Sequence, residues 1–411
     1  MLKKDPAAAP RPPGRWIRRP GGYSAYIPDP LPPELVWTPK LVKAQSDADH
    51  LIGRLAGEGG RLPNPHLLMR PFIRREAVLS SRIEGTQATL GELLEAEAGV
   101  PIERSPDDLR EVGNYVAALE YGIRRLDRLP LSLRLVRELH ERLLQGVRGE
   151  RATPGEFRRS QNWIGAPGCT LAQASYVPPP PDDLMDCLGA WEEFLHERDT
   201  PPLVQAALAH YQFEAIHPFL DGNGRVGRLL ITLFLVEREI MPTPLLYLSA
   251  FFEATRRDYY DLLRAVGARG EWEAWLTYFL NGVARQSEDA LSRAERINRL
   301  LEAWRIEAGR VSGGKRGRGA ADAGGRPSQV PEKLVEMLAA NPFVTINKAA
   351  KQLGVAFTTA QRGIEKLERL GVVRQINKSK RDRVYCAQAI FDILEEPALI
   401  VPAGPKAIPP G

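Results

Sequence analysis

The chain has 411 residues, of which 43% are hydrophobic and 26% are charged, and its formal net charge is +5. This composition is ordinary for a globular protein, and the length is typical of two or three domains. Its three cysteines, Cys169, Cys187 and Cys386, have no CxxC spacing, which argues against a disulfide framework or a zinc site and favours a reducing compartment. The longest apolar run, residues 229–236, is far shorter than the roughly 20 residues that a membrane helix needs. Because no apolar leader follows the first methionine, we expect a cytoplasmic protein without a membrane partner.

The predicted elements begin with a segment of low hydrophobicity. Residues 1–33 are rich in proline, glycine and arginine, and we expect them to be mostly extended or disordered. Trp16, Tyr23 and Tyr26 suggest that the later part of this segment packs on the body of the protein. Helical periodicity dominates from about residue 40 to 305 and predicts a mainly α fold. After a helix that starts near residues 51–55, the predicted helices occupy residues 66–83, 106–126, 131–146, 182–197, 201–215, 223–239, 255–268 and 271–304. The stretch 174–181 could form a short strand or hairpin that its prolines end.

Changes in composition divide the chain into segments. Residues 308–328 are Gly-rich, basic and low in complexity, which indicates a linker. We therefore expect a Pro/Gly-rich segment (1–33), a helical N-terminal region (34–125), a core (126–305), a linker (306–329), a small C-terminal unit (330–396) and a tail (397–411).

The stretch His-Pro-Phe-Leu-Asp-Gly-Asn-Gly-Arg-Val-Gly-Arg, residues 217–228, carries most of the chemical information. Its glycines predict a tight loop at a helix N-terminus, where backbone N–H groups and the helix dipole favour an anion. Arg225 and Arg228 share one helix face and suit a polyphosphate, while Asp221 offers a hard oxygen ligand for Mg²⁺. His217 is the nearby group with a pKa suited to a general base. Each feature alone is typical of a helix end, a turn or a solvated face. Together they predict phosphoryl or nucleotidyl transfer by direct attack of an acceptor hydroxyl.

The same stretch matches the signature HPFx[DE]GNGRxxR and therefore resembles the Fic family. The resemblance implies a helical Fic core, with a short β-hairpin called the flap over the active site. It also implies transfer of AMP from ATP to a Ser, Thr or Tyr hydroxyl, with release of pyrophosphate. In this family pattern His217 would deprotonate the acceptor hydroxyl, Asp221 would hold Mg²⁺ on the phosphates, and Phe219 would anchor the loop in the core.

The remaining signature residues would bind the nucleotide. The resemblance implies that Asn223 and the backbone at Gly222 and Gly224 cradle phosphate oxygens. It further implies that Arg225 and Arg228 grip the β- and γ-phosphates.

An upstream segment, residues 80–85, indicates regulation. Ser80 and Glu84 are spaced i, i+4 on one predicted helix face, and Gly85 closes that helix. By itself Glu84 could be a solvated carboxylate near a helix C-terminus. The segment also resembles the inhibitory motif [ST]xxxE[GN] of Fic proteins, which implies that Glu84 pairs with Arg228 and spoils the ATP pose.

Other stretches extend the resemblance over most of residues 35–300. Residues 154–158 (Pro-Gly-Glu-Phe-Arg) precede the core, as in many Fic proteins. Ser175, Tyr176 and Val177 look like part of the flap, where an extended target segment could add as a strand; the alternative is a Pro-rich surface loop. Two further stretches could flank the nucleotide base or pack in the core, namely residues 244–249 and 259–260.

The C-terminal unit resembles a winged helix-turn-helix. Thr345 can cap one helix, Gly354 gives a turn, and a second helix follows over about residues 358–370, before strands that begin near 371 and 384. Residues 341–390 hold ten Lys or Arg against three acidic residues, a balance of +7 that suits DNA. The candidate DNA contacts are Thr358, Thr359, Arg362, Lys380 and Arg381. Dimerisation or target docking are alternative uses of this unit.

Three functions therefore compete. The first is a self-inhibited AMP transferase that uses ATP and Mg²⁺ and modifies a target protein and itself. The second is another Fic-type transfer, of UMP, phosphate or phosphocholine, or removal of AMP with Glu84 orienting a water. The third is a DNA-binding regulator whose core senses nucleotide.

Overall fold

A computed structural model describes residues 11–61, 65–102, 106–147, 149, 152–166, 168–313, 329–379 and 382–400, and these are mainly helical, as predicted. The helices are α1 (Pro39–Gly60), α2 (Pro65–Ile83), α3 (Leu90–Glu97), α4 (Pro106–Arg125), α5 (Leu133–Leu143), α6 (Pro181–His196), α7 (Pro202–Ile216), α8 (Asn223–Glu237), α9 (Ser249–Ala254), α10 (Arg256–Arg269), α11 (Trp272–Gly313), α12 (Val330–Ala340), α13 (Ile346–Leu353), α14 (Phe357–Arg369) and α15 (Gln388–Glu395). The strands are β1 (Gly14–Arg19), β2 (Tyr23–Pro28), β3 (Phe343–Thr345), β4 (Arg374–Gln375) and β5 (Val384–Cys386).

The N-terminal segment contains an antiparallel hairpin over residues 14–28, so this part is extended but ordered, and its aromatic residues pack on the body as expected. Its turn uses Gly21 and Gly22 at positive φ, a conformation that glycine adopts without a steric penalty. Opposite Trp16, the Tyr26 ring is fully buried and lies 6.0 Å from the Tyr176 ring. The hairpin forms because its aromatic side chains pack on a part of the chain that is distant in sequence.

Helices α7 and α8 form the centre of the core. Both are apolar on nearly every side, and a helix of this kind is stable only when it is surrounded by protein. Around them, α1 packs along α11, and α4 packs between α2 and α5. The loop between α7 and α8 is thereby held at a fixed place in the core. Within the described segments, no helix combines the length and apolarity that crossing a lipid bilayer requires.

Several helix boundaries differ from the sequence-based expectation. Helix α8 begins at Asn223, as predicted, but α11 runs to Gly313, past the predicted end at 304 and into the predicted linker. Helix α3 was not predicted; its capping box, in which Thr89 and Glu92 bind each other's backbone N–H groups, fixes its start. The predicted linker residues 314–328 lie outside the described segments.

The C-terminal unit, α12 to α15, surrounds a three-stranded antiparallel sheet with the order β3-β5-β4. Thr345 Oγ1 accepts a hydrogen bond from Lys348 N and caps α13, as predicted, and Gly354 ends that helix at a φ of 63°. The unit packs on the rest of the protein, since α12 contacts α2 and α11. In addition, Asn341 Nδ2 donates to the carbonyl oxygen of Leu94 in α3 at 2.9 Å.

Candidate active site

The loop that joins α7 and α8 holds a strained histidine. His217 ends α7 with φ 50° and ψ 60°, in the left-handed region, which costs a residue with a side chain about 1–2 kcal/mol. The loop is closed by Asn223, whose Oδ1 accepts from Phe219 N and whose Nδ2 donates to Phe219 O, both at 2.8 Å. Both polar atoms of the Asn223 side chain thus bond the backbone of the loop. The predicted contact of Asn223 with a phosphate oxygen stays a prediction.

Two side chains hold the outer edge of this loop. Arg158 is only 3% exposed, and its guanidinium donates to the carbonyl oxygens of His217 at 3.0 Å and Pro179 at 2.5 Å. Asn162 Nδ2 donates to the carbonyl of Phe219 at 2.8 Å. The contact to His217 satisfies a carbonyl group at the end of α7 that has no helical partner, and it fixes the direction of the histidine backbone.

The hydrogen bond of His217 defines which ring nitrogen can accept a proton. Nδ1 lies 3.3 Å from the carbonyl oxygen of Glu214, and a carbonyl can only accept, so Nδ1 carries the hydrogen. The lone pair therefore resides on Nε2. Burial, together with the charge of Arg158, lowers the pKa of His217 to about 4. The ring is thus neutral near pH 7, the form that a general base needs.

A second histidine supports the loop from below. His140 Nδ1 accepts from Gly155 N at 2.9 Å, which leaves Nε2 to donate to the carbonyl of Asp221 at 3.0 Å. Burial lowers the pKa of His140 to about 4, and its ring stacks on Phe219 at a centroid distance of 3.7 Å. Phe219 is fully buried and anchors the loop, as predicted.

The carboxylate of Asp221 faces the solvent side of the loop. Its side chain is 45% exposed, and Oδ1 accepts from Gly222 N at 2.6 Å and lies 3.7 Å from Arg225 Nη2. Gly222 precedes α8 in a left-handed conformation (φ 79°), which turns the chain so that the first N–H groups of α8 point outward. The predicted metal carboxylate and anion cradle therefore lie side by side.

Arg225 and Arg228 project from the first turns of α8 and are both nearly inaccessible. Arg225 Nη1 lies 3.4 Å from Glu111 Oε2. Arg228 makes three hydrogen bonds to α2 and the residue just after it: Nε to Ser80 Oγ at 2.9 Å, Nη2 to Ser80 O at 3.0 Å, and Nη2 to Glu84 Oε1 at 2.7 Å. The structure thus brings Glu84 and Arg228 together, as the sequence implies.

The pair of Glu84 and Arg228 is electrostatically strong. Burial opposes both charges, but the neighbouring guanidinium lowers the pKa of Glu84 overall, and Glu84 raises the pKa of Arg228. Gly85 follows with a φ of 100° and ends the helix. A Cβ at Gly224 would collide with the Glu84 carboxylate, so glycine at this position lets the carboxylate lie directly over the N-terminus of α8.

A further carboxyl group lies under the site. Glu214 Oε1 is buried and has no hydrogen-bond partner among the described residues. Burial raises the pKa of Glu214 to about 7, although the charge of Arg228 opposes this shift. It packs against α8 at Gly227, where a Cβ would lie 2.6 Å from Oε1.

The predicted flap contains a single β-bridge, between Ile164 and Tyr176. Ser175 is exposed, and its Oγ donates to Ile164 O at 2.9 Å. The Tyr176 hydroxyl donates to Ala215 O at 2.6 Å, close to the catalytic loop. Val177 is buried and its carbonyl accepts from Tyr26 N in β2, so its side chain is not presented to a target.

The other predicted site residues are distributed as follows. Residues 244–249 pack in the core, and Tyr259 is buried with its hydroxyl 2.9 Å from His210 Nε2, which supports the packing alternative. Thr358 and Arg362 are exposed on α14 and Thr359 is half-buried. Lys380 and Arg381 lie outside the described residues.

Sequence reasoning missed three groups that shape the site, namely Arg158, Asn162 and His140. Arg158 ends the Pro-Gly-Glu-Phe-Arg stretch that was noted only as preceding the core, so its position was signalled but its burial was not. The other two act through backbone carbonyls that are 57 and 81 residues distant in sequence. No local pattern identifies such partners.

Comparison with known proteins agrees with this geometry. Residues 42–124 match the Fic/DOC family N-terminal region, and residues 130–235 match the Fic/DOC family. Two proteins named "Protein adenylyltransferase Fic", from Drosophila virilis and Drosophila ananassae, are 35% and 34% identical over 167 residues, which is 39% of this chain. That alignment covers 32% and 31% of those relatives, so the chain matches about a third of their length.

A solved structure has the same fold. It is a Fic family protein from Desulfovibrio desulfuricans G20, with a TM-score of 0.57 and 21% identity, and the match covers 87% of this chain and 98% of that one. The chain therefore contains a Fic/DOC family N-terminal region followed by a Fic/DOC family domain, and its signature loop, His217 to Arg228, lies at the junction of α7 and α8.

Proposed function

We propose that this protein transfers AMP from ATP to a hydroxyl group of a target protein and of itself, and that Glu84 inhibits the reaction. The observation that carries the proposal is the imidazole of His217, with Nδ1 bonded to the Glu214 carbonyl, beside a helix N-terminus that bears two buried arginines. The names of the relatives, which are protein adenylyltransferases, favour AMP over UMP, phosphate or phosphocholine.

In the proposed reaction His217 Nε2 takes the proton of the target hydroxyl. The hydroxyl oxygen then forms a bond to the α-phosphorus of ATP, and the bond between the α-phosphorus and its bridging oxygen breaks to release pyrophosphate. The N–H groups at Gly222 and Gly224, with Arg225 and Arg228, hold the phosphates and balance their charge. Positioning and charge neutralisation of this kind supply most of the catalysis in phosphoryl and nucleotidyl transfer.

Magnesium fits the proposed site through Asp221. Its carboxylate is a hard oxygen donor, half-exposed beside the phosphate cradle. Among the residues that the structure describes, no group of three or more His, Cys, Asp or Glu side chains surrounds a point. Mg²⁺ typically uses one or two carboxylates and completes its shell with water and substrate phosphates, and when bound it would neutralise phosphate charge.

Inhibition by Glu84 follows from its competition with the nucleotide, and we call the contact between Glu84 and Arg228 the brake. Glu84 accepts from the Arg228 guanidinium, which the proposal assigns to the γ-phosphate, and it brings a negative charge to the same arginine. A charge-assisted contact of this kind is roughly twice as strong as a neutral hydrogen bond, so Glu84 competes with a phosphate oxygen for Arg228. Removal of AMP, with Glu84 orienting a water, is the alternative that uses the same residues.

Labelled ATP tests the proposal. We expect self-labelling from [α-³²P]ATP that rises in Glu84→Gly and disappears in His217→Ala. Arg82→Ala, on the same helical turn as the brake but half-exposed, is the matched control and should label like the wild type. Label that enters only from [γ-³²P]ATP would replace AMP transfer by phosphorylation.

We further propose that the C-terminal unit is a winged helix that binds DNA. The support is its order of elements, its β3-β5-β4 sheet, the exposed face of α14 with Thr358 and Arg362, and the local charge balance of +7. Fluorescence anisotropy with the gene's own promoter DNA should report binding that weakens in Arg362→Ala and at higher salt. Absence of binding would favour dimerisation or target docking, which sedimentation velocity distinguishes.

A further inference from the structure

Helix α2 presents one polar stripe to the core. Glu76, Ser80 and Glu84 are spaced i, i+4 and i+8 and therefore lie along the same side. Ser80 and Glu84 hold Arg228, whereas Glu76 belongs to no motif and has no assigned role. It is nonetheless a carboxylate that is only 2% exposed.

The buried carboxylate of Glu76 ties α2 to two other helices. Oε1 accepts from the Tyr115 hydroxyl of α4 at 3.1 Å and from the Ser249 hydroxyl at 2.5 Å. Oε2 accepts from the backbone N–H of Ser249, the first residue of α9, at 3.2 Å. Tyr115 and Ser249 are both fully buried. All three hydrogen bonds cross between helices, so they define where α2 lies relative to the core.

Burying this carboxylate is costly, and the cost needs an explanation. Desolvation raises the pKa of Glu76, although the charge of Arg228 and the bonds from Ser249 and Tyr115 oppose the shift. An apolar side chain of similar size would fill the same space without this penalty. Buried polar groups with all partners in place instead select a single packing arrangement. In the packing arrangement that the Glu76 contacts select, α2 lies close enough for Ser80 and Glu84 to bind Arg228.

We propose that Glu76 is a positioning residue that fixes the register of α2, so that Ser80 and Glu84 meet Arg228 and keep the brake closed. A helix advances 1.5 Å per residue, and a shift of that size would break the 2.7 Å contact between Glu84 Oε1 and Arg228 Nη2. The hydrogen bonds of Glu76 thus act on nucleotide binding through the brake. The inference rests on the proposed inhibition by Glu84.

The test compares two backgrounds in the full-length chain, with wild-type Glu84 and with Glu84→Gly. Glu76→Gln places an amide N–H₂ among the three donors, and Ser249→Ala removes the hydroxyl partner from the opposite side. Each should raise the rate of self-labelling from [α-³²P]ATP about fivefold in the wild-type background, the factor that one net hydrogen bond represents. Ser249→Ala, which leaves the Glu76 charge in place, should not change the rate in the Glu84→Gly background, where no brake remains.

Glu237→Gln is the matched control. Glu237 Oε1 also accepts from a backbone N–H, that of Leu131 at 2.8 Å, but it lies at the far end of α8. This variant should lower thermal stability without raising the labelling rate. If Glu76→Gln does not fold, as circular dichroism would reveal, Ser249→Ala alone decides.

Three results would overturn the inference: an unchanged or lower rate in the folded variants, an equal rise in both backgrounds, or an equal rise in the control. If Glu84→Gly itself transfers no label, the proposed transfer fails, and calorimetry with MgATP then judges Glu76 separately. Affinity for MgATP should increase about fivefold in Ser249→Ala with the brake intact and stay constant in the Glu84→Gly background. Equal affinities in all four proteins would refute the positioning role.

Discussion

The strength of the brake can be measured by replacing Glu84 in graded steps. Glu84→Gln keeps the shape of the side chain and an acceptor oxygen but removes the charge that faces Arg228. Glu84→Ala removes the contact entirely, and Ser80→Ala removes the bond from Arg228 Nε to the uncharged Ser80 Oγ while the bond to the Ser80 carbonyl remains. Comparing the three variants therefore separates the contribution of the Glu84 charge, that of the whole Glu84 contact, and that of the Ser80 bond that holds Arg228.

The structure gives the expected order. A hydrogen bond to a charged group contributes about 1.5–3 kcal/mol. Glu84→Gln keeps an acceptor for the Arg228 guanidinium but loses the attraction between the two charges, which contributes about 1 kcal/mol in a partly exposed pair. Because the Glu84 side chain is 34% exposed, solvent weakens the pair and the lower end of the range applies to Glu84→Ala. If Glu84 and ATP compete for Arg228, affinity for MgATP should rise about fivefold in Glu84→Gln and about tenfold in Glu84→Ala. Ser80→Ala should change the affinity by less than about twofold, because Ser80 holds Arg228 whether or not Glu84 is in contact with it.

Isothermal titration calorimetry with a non-hydrolysable ATP analogue and Mg²⁺ measures these affinities directly. Arg82→Ala should bind like the wild type, because Arg82 points away from Arg228 towards Glu253 at 3.9 Å. Equal affinity in the wild type and in Glu84→Ala would refute the reasoning, since the carboxylate would then not compete with the nucleotide. An affinity that falls in Glu84→Ala would show that Glu84 supports the binding site.

Three further predictions test the surroundings of the loop. Arg158→Lys should lower the labelling rate of the Glu84→Gly variant about tenfold or more in the same radiolabel assay, because an ammonium group cannot reach the carbonyls of His217 and Pro179 together. An unchanged rate would mean that the loop keeps its conformation without Arg158. Since the pKa of His217 is lowered to about 4, the imidazole stays deprotonated as pH falls from 8 to 5. The labelling rate of Glu84→Gly should therefore stay constant over this range and decrease only below it. A decrease centred near pH 7 would instead implicate the Glu214 carboxyl group. Tyr26→Ala should lower the free energy of unfolding by about 3–5 kcal/mol in urea denaturation, as loss of a fully buried aromatic ring does; a loss below about 1 kcal/mol would mean that the hairpin is not part of the core.

Local signals in the sequence predicted much of the site. Proline and glycine around residues 217–222 predicted the loop, and α8 begins where the periodicity indicated. The cap at Thr345 and the turn at Gly354 were equally local and are confirmed. These features depend on backbone conformations that a few neighbouring residues determine, which is why composition and spacing sufficed.

The N-terminal hairpin and the buried polar contacts could not be predicted in this way. Its residues have the composition of a disordered segment, and only the aromatic residues pointed to packing. Two partners of Tyr26, the Tyr176 ring and the Val177 carbonyl, lie about 150 residues further along the chain. Likewise Glu76 reads as one more surface carboxylate until α9 provides its partner, 173 residues away. The sequence indicated which side chains could carry the chemistry. The orientation of those side chains depends on tertiary contacts that no local pattern reveals.

The way Arg228 is buried explains how a brake can release without dismantling the core. A guanidinium that is 2% exposed must keep hydrogen-bond partners in every state, because a buried charge without them is strongly destabilising. Two of its three partners, Ser80 Oγ and Ser80 O, belong to α2 and are uncharged, so they do not compete with a phosphate for the positive charge. A phosphate oxygen would need to replace only Glu84, which is also the most exposed member of the cluster. Release then requires one side chain to rotate into solvent while α2, held by Glu76, stays in place.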